Sequence, residues 1–236
     1  MLARNRLLTS VADVVLPESQ CGFRRERGTS DMIFVARLLQ EKCREQHKDL
    51  YLAFIDLTKA FDTVNRELLW DVLKKFGCPP LFLTVLREFH DGMSARVVVD
   101  GLESEPFEVL VGVKQGCVLA PVIFNLFLVA VTLLFRDGIS VSDGIQFNHR
   151  LDGNLFNLRR LKANSKVTEA SVLELQYADD AALPSHTTTG LQRNLDVLAD
   201  AYRRAGLNVN TKKTKYCHAS RTALLKLVRL FQRMVM

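Results

Sequence analysis

No two of the five cysteines stand in a CxxC pair. Cys21, Cys43, Cys78, Cys117 and Cys217 are spread along the chain and odd in number. That spacing offers no zinc site and no disulfide framework. It fits small buried hydrophobes in a reducing intracellular compartment, nucleus or cytoplasm. Internal repeats and low-complexity tracts are also missing, which excludes solenoids and arrays. The first twenty residues make a poor signal peptide, because Asp13 interrupts the apolar stretch and no small-residue cleavage site follows. With 48% apolar residues among 236, the chain is too hydrophobic for a disordered one and long enough for a sizeable core. Its net charge of +6 is compatible with a polyanionic partner without demanding one.

One long hydrophobic run is present, "CVLAPVIFNLFLVAVTLLF" at 117–135. It is nearly long enough to cross a bilayer. Pro121 near its start and Asn125 inside it suit a buried core helix beginning near the proline. Elsewhere the pattern alternates between helix and strand. "TSDMIFVARLLQEKCREQ" carries a helix start at Thr29–Asp31, with Ile33, Val35 or Ala36, Leu39 and Cys43 along one face. "LYLAFIDL" (50–57) reads as a buried strand, and "NRELLWDVLKKFG" and "PLFLTVLREFHDG" read as helices. "SARVVVDGLESEPFEVLVGV" reads as two strands around an Asp100-Gly101 turn. Residues 136–170 suggest an irregular connection. "GLQRNLDVLADAYRRAG" is an amphipathic helix stopped by Gly206, and "LNVN" and "TKYCHA" suggest short strands. Hairpins mixed with helices predict an α+β fold.

The chemistry concentrates in "LELQYADDAAL" (173–183). Leu173, Leu175 and Tyr177 alternate with Glu174 and Gln176 as in a half-buried strand, and the apolar character resumes at Ala181. Asp179 and Asp180 then fall where the strand turns back. Two adjacent carboxylates in an apolar hairpin repel one another and are costly to bury. A solvated turn is the plain explanation. The sharper one adds Asp56, at the end of "YLAFIDL": if the two elements are neighbours in one sheet, three carboxylates converge. Such a cluster needs cations, and oxygen ligands favour Mg²⁺ or Mn²⁺. Two such ions roughly 3.5–4 Å apart form the clamp used for in-line phosphoryl transfer.

Four stretches in order, "FIDLTKAFDTVNRELLW", "GVKQGCVLAPVIFNLF", "LQYADDAAL" and "AGLNVNTKKTK", resemble the palm motifs of reverse transcriptases. "PESQCGFRRERGTSDMIF" and "LDGNLFNLRRLKANSKV" are similar to the same regions of non-long-terminal-repeat (LINE-type) retrotransposon enzymes. The resemblance covers about residues 15–217. It implies a polymerase right hand with an antiparallel palm sheet packed on helices: fingers and fingers–palm elements at about 1–50 and 65–110, palm at 50–64 and 111–217, and an unassigned tail at 218–236.

It also implies an RNA template, a DNA primer and deoxynucleoside triphosphates as partners, two Mg²⁺ or Mn²⁺ ions, and no membrane. Asp56, the Leu57 carbonyl, Asp179 and Asp180 match the metal-binding positions. Phe61 matches the aromatic gate that excludes a ribose 2′-hydroxyl, where simple core packing is the competing reading. Gln115 and Gly116 match the loop at the incoming nucleotide. Arg24 and Arg25 match fingers cations that meet the triphosphate, with Arg27 as a competitor. Lys213 matches the proton donor to pyrophosphate, with Lys212 and Lys215 competing. The family's thumb is expected to be absent or truncated, since "RTALLKLVRLFQRMVM" does not resemble one. A non-catalytic relic or a nucleic-acid-binding module is the alternative function, and Phe61 argues against an RNA-dependent RNA polymerase.

Overall fold

The computed structural model describes residues 11–150, 161 and 166–218. Most of "LDGNLFNLRRLKANSKV", and the tail "RTALLKLVRLFQRMVM", lie outside the described residues. The centre is a four-stranded antiparallel sheet built from β1 (Tyr51–Ile55), β8 (Leu175–Tyr177), β9 (Asp180–Ser185) and β10 (Lys215–His218), in the order β10-β1-β9-β8.

β1 is apolar throughout because both its faces are covered. Ala53 and Ile55 join one hydrophobic cluster, and Leu52 and Phe54 join another. The first cluster is filled by α3 (Arg66–Lys75), α5 (Ala120–Asp137) and α6 (Thr188–Arg204). The second is covered by α1 (Thr29–Glu45), through Met32, Ala36, Leu39 and Cys43. Helix α1 starts at Gly28, whose N–H donates to Asp31 Oδ2 at 2.6 Å and so satisfies one of the helix's open amides. Asn65 caps α3 by accepting from the Leu68 N–H, and Thr187 caps α6 through Gly190.

Helix α5 is long and apolar enough to cross a bilayer, but two thirds of it is buried inside the fold. Phe124, Phe127 and Phe135 are wholly enclosed. Truncating any of them to alanine costs about 3–5 kcal/mol. Two further helices, α2 (Ala60–Thr63) and α4 (Pro80–Glu88), lie along the chain between β1 and α5.

The structure departs from the sequence pattern in three places. Residues 136–170 are not all irregular: β6 (Ile145–His149) and β7 (Thr168–Val172) pair antiparallel as a separate ribbon. Their polar content hides them, because two strands in a ribbon need no continuous apolar face. The segment 94–108 forms the hairpin around Asp100-Gly101, but its ladder is broken in two, with β2 (Ser94–Ala95) on β5 (Phe107–Glu108) and β3 (Val98–Val99) on β4 (Leu102–Glu103). The turn between β3 and β4 is Asp100-Gly101, both at positive φ. Finally, Glu174 and Gln176 are buried, not exposed. Glu174 Oε1 accepts from Arg136 Nε at 3.0 Å and from Ser19 Oγ at 2.8 Å, while Gln176 Nε2 donates to Thr132 at 2.8 Å. The hairpin strand is covered on both sides, so its polar residues are buried with partners.

Candidate active site

Strand β1 delivers Asp56 and the β8–β9 hairpin delivers Asp179 and Asp180. Ile55 pairs with Ala181, so the next pair in that register is Asp56 with Asp180. Asp179 sits in the two-residue turn, since Tyr177 pairs with Asp180. Its turn neighbour Ala178 has φ 54, a left-handed conformation that a non-glycine residue adopts at a cost.

The three acids act on one another electrostatically. Burial pushes the Asp180 carboxyl up to about 7, reinforced by the charges of Asp179 and Asp56 and opposed by Lys213. Asp179 is also raised, first by burial and then by Asp56, against the lowering influence of its own backbone hydrogen bond and of Lys213. The buried Tyr202 is driven well above its usual range by burial and by the same two aspartates and Glu174.

Asp56 Oδ2 is buried and takes no hydrogen bond, and Lys213 Nζ is 3.4 Å from it. The two observations agree: Lys213 is within ion-pairing distance but not in hydrogen-bonding geometry. Among the described residues, no three His, Cys, Asp or Glu side chains close up as a ready-made metal cage. Mg²⁺ needs only one or two carboxylates, with water and substrate phosphate oxygens completing its shell. A buried carboxylate oxygen with no hydrogen bond, beside two carboxyls of raised pKa, is a donor set that fits a hard divalent cation.

Lys213 reaches this place through the chain after α6. Thr58 N–H donates to Asn208 O and Asn210 N–H to Asp56 O, both at 2.8 Å, which brackets a bridge between Leu57 and Val209. Neither bond uses the Leu57 carbonyl. Asn210 then holds the next turn by accepting from the Lys213 amide at its own carbonyl, at 3.1 Å. Lys212 and Lys215 make no ion pair with these acids among the described residues.

Phe61 is half-buried. Its ring stacks on Phe124 with centroids 4.1 Å apart and meets the edge of Phe23 at 6.2 Å. The ring is thus held in place by packing, yet part of it faces solvent. Gln115 Nε2 donates to Asp62 Oδ1 at 2.9 Å, so the Gln115 loop is tied next to Phe61. Backbone bonds from Gly112 to Val64 and from Val113 to Phe61, both 2.8 Å, make the same link. Gly112 and Gly116 both have positive φ, and a Cβ on Gly112 would lie 2.7 Å from the Asp62 carbonyl oxygen.

The fingers cations divide. Arg24 is mostly enclosed and bonded to the Pro17 carbonyl and Glu18. Arg27 also pairs with Glu18. Arg25 is 90% exposed and only loosely paired with Glu26 at 3.6 Å.

Two residues escape a reading of the motifs alone. Gln20 binds the hairpin turn, and Arg66 donates to three carbonyls, Gly112 and His90 at 2.8 Å and Val111 at 3.3 Å. Neither stands out by composition. Proximity to Gly22 in "SQCGF", and an arginine beside the helix cap Asn65, are the faint signals.

Comparison with known proteins agrees with this architecture. The family model described as reverse transcriptase (RNA-dependent DNA polymerase) matches residues 2–225. A retrovirus-related Pol polyprotein from the type-2 retrotransposable element R2DM of Drosophila melanogaster is 28% identical over 194 residues, covering 82% of this chain and 16% of that protein. The RNA-directed DNA polymerase from mobile element jockey, also of Drosophila melanogaster, is 28% identical over 221 residues, covering 90% of this chain and 21% of that protein. The chain therefore spans about a fifth or less of these relatives' length. Among solved structures, Candida tropicalis telomerase in complex with a fragment of telomeric RNA has the same fold, with TM-score 0.66 and 11% identity over 93% of this chain and 34% of that one. A sheet that brings Asp56 beside an Asp-Asp turn, within a match over nearly the whole chain, leads to one conclusion: this chain belongs to the reverse transcriptase (RNA-dependent DNA polymerase) family.

Proposed function

We propose that this chain is the polymerising core of an RNA-directed DNA polymerase. It extends a DNA primer on an RNA template with deoxynucleoside triphosphates. The central sheet with α5 and α6 serves as palm, and the segments at about 1–50 and 65–110 serve as fingers and fingers–palm elements. The observation that carries the reading is the electrostatic coupling of three acids around a buried Asp56 oxygen that has no hydrogen bond and faces Lys213.

Reverse transcriptases work with divalent metal ions. Asp56, Asp179 and the unused Leu57 carbonyl would hold two of them here, with Asp180 beside them. When bound, such ions acidify the primer hydroxyl and neutralise charge on the triphosphate. The chain's own residues do the rest. Phe61, braced by Phe124 and Phe23, lies against the sugar and excludes a 2′-hydroxyl. Gln115, held next to it through Asp62, and Gly116 offer a flat, close surface to the nucleotide. Arg25 is the fingers cation with the fewest internal ties, which favours it over Arg24 for the triphosphate. Lys213, which pairs with Asp56 and acts on the other two acids, donates a proton to the departing pyrophosphate.

The test is primer extension by purified protein on an RNA template with Mg²⁺ or Mn²⁺. Metal-dependent incorporation of deoxynucleotides supports the proposal. Primer–template binding without any incorporation would instead establish the chain as a nucleic-acid-binding module.

A further inference from the structure

We infer that Gln20 is a positioning residue that fixes the Ala178-Asp179 turn; the inference rests on the polymerase reading above. Gln20 is fully buried, at 0% exposure. Its Oε1 accepts from the Gly22 N–H at 2.8 Å and from the Ala178 N–H at 2.9 Å. Its Nε2 donates to the Ala178 carbonyl and to Gln176 Oε1, both at 3.3 Å. One side chain therefore holds both main-chain groups of the residue before Asp179. A neutral amide suits this, because it carries an acceptor oxygen and a donor nitrogen on one carbon. The two N–H groups facing Oε1 also fix which way the amide points.

The segment around Gln20 is itself anchored. Cys21 N–H donates to Gln176 O at 2.9 Å, and Gln176 N–H donates to Ser19 O at 2.8 Å, a parallel bridge along the outer edge of β8. From α5, Asn125 donates to the Gly22 carbonyl and Arg136 to Ser19. Gly22 is pressed so closely on the turn that a Cβ there would stand 2.1 Å from the Ala178 nitrogen. One residue further, Phe23 meets Phe61. The loop thus links the carboxylate turn to the aromatic pair at the sugar position.

The turn needs such a hold. Ala178 is in a conformation that alanine avoids, and the adjacent carboxylates repel each other. A charged clamp would compete for the cations or deepen the repulsion, whereas a neutral amide does neither. The order of Asp179 relative to Asp56 then depends on Gln20, although Gln20 touches no substrate.

The test uses the full chain in three arms. In the wild type, the Ala178 amide, whose bond is to a side chain, should exchange with deuterium as slowly as the strand amides of β9. Fast exchange there would overturn the proposal without any variant. Gln20→Met keeps length and loses all four bonds. It should speed Ala178 exchange, raise the Mn²⁺ midpoint several-fold and lower kcat by about 10- to 100-fold, with the dNTP KM within about twofold, as expected when reacting groups are misplaced. Thr132→Val is the control, since it removes an equally buried bond to Gln176 but none to Ala178. It should lower the melting temperature while leaving kcat within about twofold of wild type. Equal kcat losses in Gln20→Met and Thr132→Val would reduce Gln20 to general structure and overturn the inference. Asp179→Ala separates the two claims. If it still extends primers, the polymerase reading fails. If it is dead while Gln20→Met runs at the wild-type rate, the clamp alone fails.

Discussion

Lys213 Nζ stands 3.4 Å from Asp56 Oδ2, where it partly offsets the charge of all three aspartates. A divalent cation held by Asp56 would compete with this ion pair. Metal binding should therefore stabilise the folded chain. At a concentration 100 times Kd the gain is about 2.7 kcal/mol, equivalent to roughly 5–10 °C in Tm for a chain of this size. Lys213→Ala should enlarge the Mn²⁺-induced shift, and Asp56→Asn should shrink it. Thermal melts with and without Mn²⁺ read both effects, and identical shifts in all three proteins would show that Asp56 is not a ligand.

The raised Asp180 carboxyl predicts a pH dependence of the metal-free protein. Its folded pKa, about 7, lies above the unfolded value near 3.8, so the folded state holds its proton more tightly. Between these values the folded state binds more protons than the unfolded one, and stability falls as pH rises. The penalty is absent below about pH 4 and complete above about pH 7. Asp180→Asn should accordingly stabilise the metal-free chain at pH 8 and change little at pH 4. Denaturant melts at the two pH values, without metal, check the sign.

Phe61 carries two loads, and a single substitution separates them. Phe61→Ala loses the stack on Phe124, costing about 1–2 kcal/mol for a half-buried ring. It should also raise ribonucleotide use relative to deoxynucleotide use. The measurement is the ratio of kcat/KM for the two substrates in wild type and variant. A lower Tm with an unchanged ratio would assign the ring to packing only.

Arg66, 8% exposed, holds the chain before Gln115 through the Val111 and Gly112 carbonyls and ties it to the His90 carbonyl. Burial lowers its pKa, partly opposed by the charge of Asp91, and the carbonyl dipoles supply its hydrogen-bond acceptors. Arg66→Met should cost about 2–4 kcal/mol by leaving those carbonyls without donors. Arg66→Lys should not restore the loss, because an ammonium cannot span the same fork. Equal stabilities for Arg66→Lys and wild type would contradict this.

Much of this fold is legible in the sequence because local pattern and tertiary need coincide. The apolar run ending at Asp56, the helix start near Thr29–Asp31 and the proline-started α5 all sit where the pattern puts them. What is not legible depends on covering by distant segments. Glu174 and Gln176 alternate like solvent-facing residues, yet Arg136, Thr132 and Ser19 enclose them from 38 or more residues away. Gln20 and Ala178 are 158 apart, and no periodicity marks a bond between a side chain and a turn. Lys213 among its neighbouring lysines is likewise distinguished only by the turn that Asn210 sets beside Asp56.

The most direct measurement of the central claim is single-nucleotide incorporation on an RNA template with a DNA primer, comparing wild type with Asp179→Ala at matched primer–template occupancy. The account predicts metal-dependent addition of a deoxynucleotide by the wild type and none by the variant, with binding largely retained. Incorporation that survives in Asp179→Ala would contradict it.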